Sequence, residues 1–176
     1  MVKNNSGITL IVLVITIIVL IIIASISVYE GKELIAKSKV QTLETNMLII
    51  QAKAKSYAEE IDAKIWTEEE EDKDSARNAA FLEKGFENPS SNLENKYIEQ
   101  LNKDINSTNY ISYTLSEKAL QDMGLDDIDN ENYIVVYDKG DYQKIDVIFN
   151  NGVTYKRVTY YTLSELKKAL SGESNN

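Results

Sequence analysis

The stretch that decides how this chain is organised is ITLIVLVITIIVLIIIASISV, Ile8 to Val28. Fourteen of the sixteen residues from Ile8 to Ile23 are Ile, Leu or Val, the other two are Thr, and no charge appears from Asn4 to Tyr29. At about −0.3 to −0.6 kcal/mol each, such residues together favour a bilayer by several kcal/mol. A buried strand of similar composition would run about 5 to 6 residues. The segment is far longer, which predicts a membrane helix: its 21 residues at about 1.5 Å each span roughly 31 Å, close to the hydrocarbon thickness. Lipid leaves the backbone no other way to satisfy its own polar groups. Tyr29 falls where an interfacial aromatic is expected. A secretory signal would have an apolar region of about 7 to 15 residues, and Ser25-Ile26-Ser27 is a poor small-x-small cleavage site. Lys3 precedes the segment and Lys32, Lys37 and Lys39 follow it, a count that by itself would put the C-terminal side in the cytoplasm. Long domains translocate largely regardless of such flanks, so a single-pass protein with its C-terminal domain outside the cytoplasm is expected.

Beyond Val28 the chain has 148 of its 176 residues, enough for one domain with a modest core. There is no Cys and no His. That excludes Cys/His zinc sites, Ser-His-Asp and Cys-His catalysis, and imidazole acid-base chemistry. No residue pair argues for an enzyme, and no cofactor is expected. All 28 acidic residues and 18 of the 19 basic ones lie at or after Glu30, giving this part a net charge of −10. With no basic stripe to offset that field, nucleic-acid binding through phosphates is disfavoured.

Leading into the apolar run is Ser6-Gly7-Ile8-Thr9-Leu10-Ile11-Val12-Leu13. It resembles the N-terminal signature of type IV pilins and the pseudopilins of type II secretion systems. In that family a polar leader ends in Gly and is followed by a hydrophobic residue, Thr, Leu, Ile, Glu and Leu. Gly7, Thr9, Leu10, Ile11 and Leu13 match, and Ile8 is an acceptable first mature residue. Ser6 departs from the common Lys, and Val12 from the Glu of most members. The resemblance implies cleavage after Gly7 by a membrane-embedded prepilin peptidase, N-methylation of Ile8, and assembly with other pilin-like subunits into a filament. In the family the Glu is thought to pair with a neighbour's N-terminus, and members lacking it include tip subunits. Val12 therefore leads to the expectation of a minor or tip-located subunit, of lower copy than a Glu-bearing partner; the alternative is a filament that tolerates an apolar residue here throughout, held together by Ile, Val and Leu packing alone. Independently of the family, Gly at the end of a membrane helix offers a protease a backbone with no side chain in the way.

After the interface, Ala36, Val40, Leu43, Met47, Ile50, Ala54, Tyr57 and Ile61 recur at alternating spacings of four and three, a helix with one apolar seam. No Pro interrupts Ile8 to Trp66, so one helix of roughly 85 Å is predicted. A coiled coil, an intramolecular core stripe or a subunit-packing surface would each explain the seam. Ala and Tyr within it favour packing on the domain's own sheet, as the resemblance also implies. The expected fold class is thus α+β and pilin-like: a long N-terminal helix, half membrane-spanning and half amphipathic, packed on an antiparallel β-meander.

Thr67 to Asp74 reads as a solvated helix end or loop, with Asp74 capping a short helix that runs through Lys84 and stops at Gly85. Asn88-Pro89-Ser90-Ser91 reads as a loop, and Leu93, Tyr97, Ile98, Leu101 and Ile105 as one face of another helix. Tyr110–Leu115, Tyr133–Tyr137, Tyr142–Phe149 and Val153–Tyr160 read as strands, with hairpin turns at 138–141 and at Asn150-Asn151-Gly152. Two near-copies, 113–120 and 161–170, each end a strand and open a helix, with Thr114 and Glu117 or Thr162 and Glu165 at capping-box spacing. Asp127, Asp129, Glu131 and Asp138 form a weak calcium-loop candidate, but Asn132 stands where Gly is needed.

The expected organisation is a leader at 1–7, a membrane or filament-core helix at 8–29, its amphipathic continuation at 30–66, an acidic helical connection at 67–109, and a sheet with a short C-terminal helix at 110–176. The expected role is structural, in a pilus, a secretion filament or a DNA-uptake filament. The alternative is an unprocessed single-pass protein with an acidic binding or sensor domain. Its partners would be pilin-like subunits, the peptidase and the membrane.

Overall fold

A computed structural model describes residues 6–66, 70–126 and 132–172; before Leu34, side chains are described at Leu13 and from Ile15 to Ile21. In chain order the elements are α1 (Ser6–Ile65), α2 (Glu70–Glu83), β1 (Phe86–Ser90), α3 (Asn95–Ile98), β2 (Tyr110–Leu115), α4 (Glu117–Asp122), β3 (Tyr133–Asp138), β4 (Asp141–Tyr155), β5 (Val158–Thr162) and α5 (Leu163–Ser171). The chain forms two compact units, Met1–Lys39 and Val40–Asn176.

The second unit is built on a five-stranded antiparallel sheet in the order β1-β2-β3-β4-β5. Strand alternation sorts its side chains to two faces. Ile111, Tyr113, Leu115, Tyr133, Val135, Tyr137, Ile145 and Val147 meet the helix seam in the main core, where Val40, Met47, Ile50, Ala54, Ala58 and Ile61 are each at most 1% exposed. Leu43 and Tyr57 pack against the same core, and Ala36, outside this unit, is exposed. Each large aliphatic side chain so buried contributes about 1.5–3 kcal/mol, which makes the seam the principal tie between helix and sheet. Two polar bonds fix the register: the Tyr137 hydroxyl donates to the Ala54 carbonyl at 3.2 Å, and Gln51 Nε2 donates to the Ile145 carbonyl at 2.9 Å. Phe81 from α2 sits among Phe86, Tyr113 and Tyr137 with ring centroids 4.9–5.2 Å apart. On the other face Val136 and Ile148 are covered by Tyr97, Leu101, Ile105 and Tyr110.

The expected fold class requires correction. The molecule is a mixed assembly of helices with a five-stranded antiparallel sheet, and no helix among the described residues is long and apolar enough to cross a membrane. Among the described residues, the membrane-spanning half on which that class rested is therefore not found. The sheet is organised by the amphipathic seam from Val40 onward, and the described apolar side chains before Leu34, Leu13 and those from Ile15 to Ile21, take no part in it. These side chains are 47–62% exposed and contribute nothing to the core that organises the sheet. A run apolar on all sides presents no single stripe to a sheet, whereas the seam does.

Local expectations fared unevenly. The helix ending before Gly85 (φ 82°) and the turn at 138–141 are present. However, α2 begins at Glu70, so Asp74 lies inside it and pairs with Arg77 at 3.2 Å instead of capping. The segment read as a loop at 88–91 supplies part of β1, an edge strand, where Pro89 is tolerated because its missing N–H faces no partner. The helix read over Leu93–Ile105 is only α3; turns carry the remainder, although Tyr97, Leu101 and Ile105 are buried.

Asn150-Asn151-Gly152 is not a turn. It lies inside β4, where residues 149–152 oppose Tyr161 alone between the pairs Ile148↔Thr162 and Val153↔Tyr160. Gly152 is required there by close approach, since a Cβ would stand 2.7 Å from the Tyr161 ring, and Asn150 receives the Tyr97 hydroxyl. The chain reverses instead at Lys156-Arg157. Of the two near-copies, the second caps as expected, with Thr162 accepting from the Glu165 amide; in the first the cap is Ser116, accepting from Ala119.

Candidate functional site

The cleavage motif begins within α1, which starts at Ser6, but the side chains of Gly7, Ile8, Thr9, Leu10, Ile11 and Val12 lie outside those described. Leu13 is 60% exposed. Of the calcium candidates, Asp127, Asp129 and Glu131 lie outside the described residues. Asp138 is fully engaged: one carboxylate oxygen accepts from the amides of Gly140 (2.7 Å) and Asp141 (3.2 Å), the other from Asn106 (2.7 Å). Burial pushes its pKa up, but these bonds outweigh burial and hold it below the ordinary carboxylate value. No group of three acidic residues among the described ones could hold a metal ion.

Two buried carboxylates share one structural task. Asp146 is 0% exposed on β4 and accepts from the amides of Asn102 (2.8 Å), Val147 (2.9 Å) and Ser164 (3.3 Å). With Asp138 it pins the segment that follows α3 at two points four residues apart, Asn102 and Asn106, and so lays Leu101 and Ile105 on the outer face of the sheet. Burial raises the Asp146 carboxyl to about 6, against the opposing pull of Ser164 and the backbone amides. A satisfied buried carboxylate of this kind ties three segments together at the cost of desolvation.

Gln100 adds a third tie. Its side-chain carbonyl accepts from the Tyr161 amide at 2.8 Å and its NH2 donates to the Thr159 carbonyl at 3.3 Å, while its main-chain carbonyl receives the Thr162 hydroxyl. The carboxamide thereby occupies backbone groups along the outer edge of β5 and blocks that edge from pairing with another chain. Asp146 had a legible signal, a lone acid between Ile145 and Val147 in an apolar strand; Gln100 had none.

Across α1 and α2, Arg77 bonds Asp62 at 2.9 Å and lies 4.2 Å from the centre of the Tyr142 ring. Glu60 accepts from both Lys64 and Lys84, which hold its carboxyl at about 2. The unit also carries a cleft of about 300 Å³ lined by Gln51, Asn102, Lys103, Ser164, Lys167 and Lys168, in which Lys167 and Lys168 already hold Gln51 and Glu165. The described arrangement is thus one of ties between elements.

No family model, curated protein or solved structure matches the chain.

Proposed function

We propose that the protein is a pilin-like or pseudopilin-like structural subunit, held in a membrane as a precursor, cut after Gly7 and assembled with other such subunits. The observation that carries this reading is the sequence Ser6–Leu13 running directly into the apolar stretch to Val28. Support comes from the exposure of Leu13, Ile15, Ile17, Ile18, Val19, Leu20 and Ile21, all at 47% or more. Contiguous apolar side chains left open need lipid or a sister subunit. The second unit meanwhile closes its own core from Val40 onward. In this reading the body lies outside the cytoplasm, and the work of the protein is assembly.

The test is co-expression with and without a prepilin peptidase. The enzyme is expected to shorten the chain by the seven residues of its leader, and Gly7→Val is expected to leave precursor in the membrane. Identical chain length with and without the peptidase overturns the reading.

A further inference from the structure

Asn106-Ser107-Thr108 is an Asn-x-Thr tripeptide, the acceptor pattern for N-linked glycosylation of a surface loop. Such tripeptides arise often by chance, so the setting decides whether this one can react. It lies in the turns between α3 and β2, within four consecutive exposed residues, 106–109, bounded by the buried Ile105 and Tyr110. Asp104, also exposed, stands two residues before Asn106 and completes the longer Asp-x-Asn-x-Thr acceptor that some oligosaccharyltransferases require. Two other Asn-x-Ser tripeptides occur in the chain. Asn4-Asn5-Ser6 belongs to the leader that the function proposed above removes, and Asn88-Pro89-Ser90 has Pro in the middle position, which bars it. Asn88 in addition spends its Nδ2 on the Thr114 hydroxyl at 2.9 Å.

The loop holds the Asn106 carboxamide in one orientation. Its Oδ1 accepts from the Thr108 main-chain amide at 3.0 Å and from the Thr108 hydroxyl at 2.8 Å. A main-chain N–H can only donate, so the atom facing it must be the oxygen. That leaves Nδ2, the atom a glycan would take, with no partner among the described residues. The backbone beneath is anchored independently of this side chain: the Asn106 main-chain amide donates to Asp138 at 2.7 Å, and the Lys139 amide donates to the Asn109 carbonyl at 3.0 Å. The adjoining turn, Lys139 to Asp141, is exposed. A sugar on Nδ2 therefore displaces no core side chain.

We infer that Asn106 is an N-glycosylation site whose substrate class is an oligosaccharide carried on a polyprenyl diphosphate. In the transfer, Nδ2 forms a C–N bond to the anomeric carbon as the C–O bond to the diphosphate breaks; the lipid diphosphate leaves, and Nδ2 gives up one proton. These donors are consumed outside the cytoplasm, so the inference rests on the reading above that places the body there. The test uses protein recovered from its native cell and digested with trypsin, which releases Asp104–Lys118. The wild-type peptide is expected to carry the mass of one glycan, located at Asn106 by fragmentation. Asn106→Asp keeps an oxygen for Thr108 but lacks the nitrogen, and it is expected to lose the added mass, as is Thr108→Val. Thr108→Ser is expected to retain it. An unmodified Asp104–Lys118 peptide in every wild-type fraction, or added mass that survives Asn106→Asp, overturns the site. Protease treatment of intact spheroplasts reports separately on the reading above. A digested body with an unmodified peptide removes only the glycan, and a protected body with an unmodified peptide removes both.

Discussion

Asp146 shows how one residue can be legible in kind but not in role. An acid inside Ile145-Asp146-Val147 announces a special position, yet only the fold reveals that its partners are the amides of Asn102 and Ser164, 44 and 18 residues away. Its carboxyl, raised to about 6 by burial, binds its proton more readily in the native than in the unfolded chain, where the value is about 3.9. Its contribution to stability is therefore complete below about pH 4 and is lost as pH rises through about 6. Relative to Asp146→Asn, the wild-type chain is expected to gain roughly 1 kcal/mol per pH unit on acidification within that window. Urea midpoints measured in parallel at several pH values check this. A wild-type-to-variant difference that stays flat between pH 4 and 7 would show that Asp146 does not titrate in the native state as described.

At the scale of elements, what sequence pattern revealed was the apolar period. β2 lies where its alternation of Tyr, Ile and Thr places it, and the seam from Val40 to Ile61 is buried against the sheet. What pattern could not reveal was competition for a turn signal. Asn-Gly at 151–152 is the stronger hairpin sequence, but Gly152 is held against Tyr161 and Asn150 by Tyr97, so the reversal passes to Lys156-Arg157. Pro89 misled in the same manner, because its place on an edge strand depends on strand order, which no local window contains. The turn gives a direct prediction. Lys156→Asn/Arg157→Gly is expected to raise stability by about 0.5–1 kcal/mol through relief of left-handed strain. Unchanged or lower stability in chemical denaturation would place the reversal elsewhere.

At the scale of the whole molecule, the unit from Val40 to Asn176 has a complete core on one face of its sheet and a smaller one on the other. A fragment beginning near Glu30 is accordingly expected to be a soluble monomer containing both helix and antiparallel sheet, by circular dichroism and light scattering. A helical dimer with little sheet would mean that the seam prefers a sister helix. The described apolar side chains before that unit, Leu13 and those from Ile15 to Ile21, take no part in either core; the function proposed above gives the run to membrane and assembly. The most direct test of that assignment is the mass of the N-terminal peptide of the protein recovered from membrane and sheared-surface fractions of its native cell. The account predicts a mature chain beginning at Ile8. An intact Met1 terminus in both fractions would contradict it.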